Sequence, residues 1–129
     1  MELKPIENTT IYGMEFFFQS IIKLYNEKKM PTKILLSGKK GIGKSTLAYH
    51  LSNYILSIDE ELSYDLDNFT INHQNKSFKL LQNGSHPNFY VIDLLNDKKN
   101  IDIAQIREMI NYTNKSTFNN KPRLILIDN

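Results

Sequence analysis

Apolar residues fall in two rhythms along this chain, and the alternation between them lays out its elements. Over Met14–Lys29 they recur every three or four positions (Phe17, Ile21, Leu24, Tyr25), with Lys23, Glu27 and Lys28 on the other side. That spacing predicts a helix with one buried face, which Pro31 is expected to end. The run Phe16-Phe17-Phe18 reads as helix core plus a packing edge, not as a base-stacking platform. Lys33–Ser37 (KILLS) is a short continuous apolar run entering a glycine cluster, the pattern of a buried parallel strand. Lys44–Leu56 returns to the helical period, with Leu47, Leu51, Tyr54 and Ile55 on one face.

The next third, Ser57–Pro87, holds no period for long. Within it Lys76–Gln82 reads as a helical turn or two, and Asn83-Gly84 as a turn. Phe89–Leu95 (FYVIDLL) is a second strand. Ile103–Thr113 is a helix, with Ile103, Ile106 and Ile110 at helical spacing. Asp102 stands at its N-cap position and Gln105 three residues later, as a capping box requires. Arg123–Asn129 (RLILIDN) is a third strand ending in an acid. Strands alternating with helices imply an α/β fold whose parallel sheet is covered on both faces.

Composition narrows the function classes. A chain of 129 residues, 40% hydrophobic and 23% charged, is one small folded unit, too apolar for disorder. The formal charge of +2 carries no signature of a dedicated nucleic-acid binder, and Lys98-Lys99 and Lys121/Arg123 are too sparse for a basic patch. The absence of cysteine removes disulfides, thiolate zinc sites and cysteine nucleophiles, and fits a reducing cytoplasm. No run approaches the roughly 18 apolar residues of a membrane span, so a cytoplasmic protein without a membrane partner is expected. Asn-x-Ser/Thr triplets at Asn8, Asn75 and Asn114 read as chance matches. His50, His73 and His86 lack metal-ligand spacing and are expected in surface or packing roles; Asp59-Glu60-Glu61 reads as a solvated cluster.

One motif carries chemistry. Gly38-Lys39-Lys40-Gly41-Ile42-Gly43-Lys44-Ser45 fits G-x-x-x-x-G-K-[ST] at every fixed position, between a predicted strand and a predicted helix. Glycines let the backbone curl so that several N–H groups converge on one anion, and the helix adds its unpaired N-terminal donors. Lys44 would reach the β/γ-phosphates and Ser45 would ligate Mg²⁺. The nucleotide-binding set is therefore Gly38, Gly41, Ile42, Gly43, Lys44, Ser45 and Thr46, with Thr46 one residue past the metal ligand. A second acid near the magnesium is needed, and Asp128 closes the run LILI at the place for it. The following residue is Asn129, where a hydrolytic enzyme would carry a glutamate; an amide cannot take a proton from water, so no catalytic residue is assigned.

With loop and acid placed, the chain resembles the N-terminal part of bacterial clamp-loader ATPases of the AAA+ class, above all the delta-prime subunits of DNA polymerase III. Tyr12-Gly13 resembles the family's segment that lies near the adenine. ILLSGKKGIGKSTLAYHLSNYIL resembles its strand, P-loop and helix, SHPNFYVIDLL the His-Pro stretch leading into its second strand, IDIAQIREMI its next helix start, and RLILIDN its Walker B strand. The resemblance implies a P-loop NTPase sandwich truncated after the Walker B strand 123–128, with an irregular insert at about 57–87 and no lid or collar domain in residues 1–129. It implies ATP and Mg²⁺ as ligands, Tyr12 at the nucleotide, and no zinc, since the insert lacks the four cysteines of many relatives. It also implies partners: other clamp-loader subunits, and through them the sliding clamp and primed DNA.

Two alternatives stay open. A small P-loop kinase of a metabolite would need arginines after the first helix, and Ser57–Pro87 contains none. Another AAA+ ATPase of replication or repair is disfavoured by Asn129. The implied sheet has five strands in the order 5-1-4-3-2, which would leave Lys33–Ser37 without either neighbour in residues 1–129. An unpaired apolar strand is an aggregation hazard. Residues 1–129 expressed alone are therefore expected to be poorly soluble or molten, and a sharp cooperative melt of that monomeric chain would overturn either the expected strand order or the reading of the chain as a fragment.

Overall fold

The computed structural model describes residues 5–38, 43–93, 101–114 and 122–128. After a short 3-10 turn at Pro5–Glu7 come α1 (Glu15–Asn26), α2 (Lys44–Leu56), α3 (Lys76–Gln82), β1 (Phe89–Asp93), α4 (Ile103–Thr113) and β2 (Leu124–Asp128). The architecture is α/β, as the alternation of periods predicts.

Helix α2 is the centre. It has the predicted bounds, and Leu47, Leu51, Tyr54 and Ile55 are all buried. Burial exceeds one face, however: every residue from His50 to Ser57 is buried. Apolar neighbours arrive from α1 (Phe18, Ile22), the chain before it (Ile11) and the region 57–87 (Tyr64, Ile71, Phe78), forming one core. Aromatic rings lock it: Phe18 meets Tyr64 at 5.1 Å and crosses Tyr54 edge-on at 6.4 Å between centroids.

In α1 the buried stripe lies one residue further along than predicted. Phe18 and Ile22 are buried while Phe17 and Leu24 are exposed, because three adjacent aromatics satisfy the helical period in more than one register. Phe18 wins by meeting the rings of α2 and the insert; Phe16 and Phe17 face solvent. Nor does Pro31 end the helix. Lys28 takes a left-handed conformation (φ 59°), its N–H donates to the Tyr25 carbonyl (3.0 Å), and the Lys29 N–H donates to that of Leu24 (2.8 Å). That pair of bonds is a Schellman stop.

The insert is ordered where its sequence is least periodic, because polar side chains fold it. Asp65 accepts from the backbone N–H groups of Asp67 and Asn68 (3.0 and 3.2 Å), closing a turn. Asn75 caps α3 by accepting the Phe78 N–H at 2.7 Å. Glu60, expected in a merely solvated cluster, is instead a second cap: its carboxylate accepts from Lys76 N–H (2.8 Å), Ser77 N–H (3.3 Å) and the Ser77 hydroxyl.

Strands β1 and β2 pair in parallel, from Phe89 opposite Leu124 to Asp93 opposite Asp128. The buried Asn88 levels their starts: its carbonyl accepts the Leu124 N–H (2.7 Å) and its side-chain amide donates to the Pro122 carbonyl (3.3 Å). Tyr49 of α2 meets Phe89 on one face of this sheet, while Tyr112 of α4 stacks on Tyr90 at 5.0 Å on the other. One helix thus packs on each face, but the predicted full cover is not reached, since Val91, Ile125 and Ile127 are exposed. The predicted strand Lys33–Ser37 is not a strand. It pairs with neither β1 nor β2 among the described residues, and Leu35 is 89% exposed. An apolar run becomes a strand only beside an edge that takes its N–H and C=O groups. The end of the second predicted strand, Leu94 and Leu95, lies outside the described residues.

Helix α4 opens on the predicted capping box: Gln105 N–H donates to Asp102 Oδ1 (2.9 Å), and Asp102 N–H to Gln105 Oε1 (3.1 Å). Its predicted apolar face is not buried, since Ile103 and Ile110 are exposed. Attachment comes instead through its last turn. Tyr112 donates to the Pro87 carbonyl (2.8 Å), and Arg123 lies over the Tyr112 ring while donating to the carbonyls of Tyr112 and Thr113 (3.0 and 2.8 Å).

The histidines take the packing and surface roles expected. His73 is exposed, and His86 Nδ1 accepts the Asn88 N–H at 3.1 Å. His50 is fully buried between the Tyr64 hydroxyl at Nδ1 (2.7 Å) and the Asn8 carbonyl at Nε2 (2.8 Å). Burial pushes its pKa down to about 4, only partly opposed by the Asn8 carbonyl. Between about pH 6.5 and pH 4 the unfolded chain therefore binds a proton that the folded chain refuses, so stability falls as pH falls through this window. The loss should approach an order of 3 kcal/mol at its acid end. Denaturant melts at pH 7, 5.5 and 4.5 should show it, with a flatter pH dependence in His50→Gln, which has no imidazole to protonate.

Candidate nucleotide-binding site

A phosphate-binding loop must deliver backbone donors, a cation and a helix start to one place. Gly38, Gly43, Lys44, Ser45 and Thr46 are described; Gly41 and Ile42 of the predicted set lie outside the described residues. Gly43 is the N-cap of α2, with φ 97°. A Cβ there would meet nothing closer than Met14 Cγ at 4.0 Å, so backbone conformation, not space, calls for glycine. A glycine cap has no side-chain acceptor, and the first turn of α2 contains no acid. The helix start thus has no side-chain cap from its N-cap residue and no acid of its own first turn, which suits an incoming anion.

Lys44 Nζ donates to the Gly38 carbonyl at 2.8 Å, so the ammonium spans the loop from its last residues to its first. A phosphate, with full negative charge, is a stronger acceptor than that carbonyl. Thr46 is engaged elsewhere: its Oγ1 accepts from the side-chain amide of Asn8 at 3.3 Å. Its backbone remains at the helix start, but its hydroxyl serves the chain ahead of α1. The sequence marked Asn8 only as a chance Asn-x-Thr match, because its role depends on a partner 38 residues away.

Tyr12 is 83% exposed, and the adjoining Gly13 has φ 81°. Met14 next to them is the side chain that a Cβ on Gly43 would approach, at 4.0 Å, which brings this segment near the start of α2. Asp128 is the last residue of β2, in register with Asp93, and β2 packs against α2. Asn129 lies outside the described residues. Among the described residues no group of three or more His, Asp or Glu side chains could hold a metal ion. Two clefts lie elsewhere: about 420 Å³ at the end of α1, beside Tyr25 and Met30, and about 270 Å³ between β1 and α4, beside Tyr90 and Glu108.

The family model described as DNA polymerase III, delta subunit, matches residues 13–129 of this chain. No curated protein matches it. The match runs through the loop, the insert, both strands and Asn129.

Proposed function

Because the chain belongs to the family of the DNA polymerase III, delta subunit, with a role in the polymerase's clamp loader, we propose that it is a delta-prime-like subunit that binds ATP·Mg²⁺. The observation that carries this reading is the complete phosphate-loop sequence, with Gly43 at positive φ opening an uncapped helix and Lys44 lying across the loop. Gly38, Gly41, Ile42, Gly43 and the first turn of α2 would surround the phosphates with backbone N–H groups. Lys44 would exchange the Gly38 carbonyl for a phosphate oxygen. Ser45 and Asp128 would hold the magnesium, and Tyr12 would lie at the base. In this role the protein works in the cytoplasm with other clamp-loader subunits, and through them with the sliding clamp and primed DNA. No described helix is long and apolar enough to cross a membrane.

Binding of a fluorescent ATP analogue to the full-length protein tests the site. Lys44→Ala should weaken it by about ten- to a hundredfold, the effect of losing a charge-assisted contact of roughly 1.5–3 kcal/mol. Equal affinity in the two proteins would sink the assignment.

Hydrolysis by the isolated subunit should be negligible. Asn129 can orient a water but cannot accept its proton, and general-base catalysis is worth about 10²–10⁴-fold. Phosphate release at the rate of a working ATPase, abolished by Lys44→Ala, would refute this.

A further inference from the structure

The chain ahead of α1 and the insert lie outside the phosphate-loop motif, yet they are joined to each other and to α2. Asn8 is the junction. Its carbonyl accepts from His50 Nε2 (2.8 Å), and its side-chain amide donates to Thr46 Oγ1 (3.3 Å). The next residues join the insert: Ile71 N–H donates to the Thr9 carbonyl (2.8 Å) and Ile11 N–H to the Phe69 carbonyl (3.2 Å), around an antiparallel bridge of Thr10 with Thr70. Tyr64, also from the insert, supports His50 at Nδ1 (2.7 Å). The direction of these bonds is fixed. Nε2 must carry the proton it gives to a carbonyl, so Nδ1 is an acceptor and the Tyr64 hydroxyl is the donor.

All of these contacts end just before Tyr12. From Ile11, buried in the core, the chain emerges at the exposed Tyr12 and returns at Met14, whose Cγ would lie 4.0 Å from a Cβ on Gly43. A ligand whose phosphates fill the loop must lay its nucleoside end on a neighbouring surface, and the exposed Tyr12 stands two residues before Met14, the side chain nearest to a Cβ on Gly43. Its position is set by the insert. We propose that Asn8, His50 and Tyr64 are positioning residues that hold Tyr12 beside the loop, so that the insert governs how the nucleoside part of a triphosphate is bound. This rests on the nucleotide reading of the loop and adds to it a division of labour: loop for phosphates, insert-held segment for the nucleoside.

The test compares two ligands on the full-length protein, Mg·ATP and Mg·tripolyphosphate, which has the phosphates without the nucleoside. Tyr64→Phe keeps the ring in the core and removes only the bond to His50; Asn8→Ala keeps the carbonyl and removes only the bond to Thr46. Each should weaken ATP by about three- to tenfold, the range of one lost hydrogen bond, with tripolyphosphate affinity unchanged. Lys44→Ala should weaken both ligands. Tripolyphosphate binding also reports that each variant's loop is folded, which separates positioning from general destabilisation. Equal weakening of both ligands by Tyr64→Phe and Asn8→Ala, or unchanged ATP affinity, would overturn the positioning role while leaving the loop assignment standing. A wild-type protein that binds neither ligand would overturn both.

Discussion

The structure depends on the complete burial of the second half of α2. A helix buried on every side from His50 to Ser57 would be unremarkable if it were apolar, but four of its residues are polar: His50, Ser52, Asn53 and Ser57. A buried polar group without a partner costs on the order of 1–3 kcal/mol, so each must be matched. Ser52 and Ser57 are matched within the helix, by the Ala48 carbonyl (2.9 Å) and Asn53 Oδ1 (3.3 Å). Asn53 and Asn75 exchange side-chain amide bonds at 3.2 Å in both directions. His50 takes Tyr64 and Asn8. Matching these groups is what draws the insert and the chain ahead of α1 onto the helix.

The same helix opens at the candidate phosphate site, and the two ends have opposite needs. The far end requires every donor and acceptor to be satisfied internally. The near end begins on a glycine that provides no side-chain cap, in a first turn with no carboxylate. Under the proposed reading, a packed body behind that helix start would hold its donors in place and leave a ligand less ordering to cost. The sheet adds to that body through Asn88, which aligns β1 and β2, and through Arg123, which fastens the end of α4 beside them.

The insert illustrates how far a segment without periodicity can be ordered. Its order comes from single residues, most of them polar, in special positions. Asp65 makes a turn, Asn75 and Glu60 cap one short helix, and Phe69 sits at φ 51° beside the bridge to the chain ahead of α1. None of these repeats along the sequence, so none leaves a rhythm to read.

What the sequence by itself determined was local. The bounds of α2, α3 and α4, the capping box at Asp102 and Gln105, and the phosphate-loop motif all depend on residues within a few positions of each other. Backbone geometry couples such residues directly, so their spacing alone declares them. Tertiary structure decided everything that required a distant partner. It chose Phe18 over Phe17 because the rings of Tyr54 and Tyr64 lie on that side. It left Lys33–Ser37 without a ladder, because neither described strand pairs with it. It turned Glu60 from a surface acid into a helix cap, and Asn8 into the junction between the loop's helix, the insert and the segment bearing Tyr12. A hydrogen-bond partner 16 or 38 residues away leaves no mark on the spacing of a sequence, and only the folded chain brings the two together.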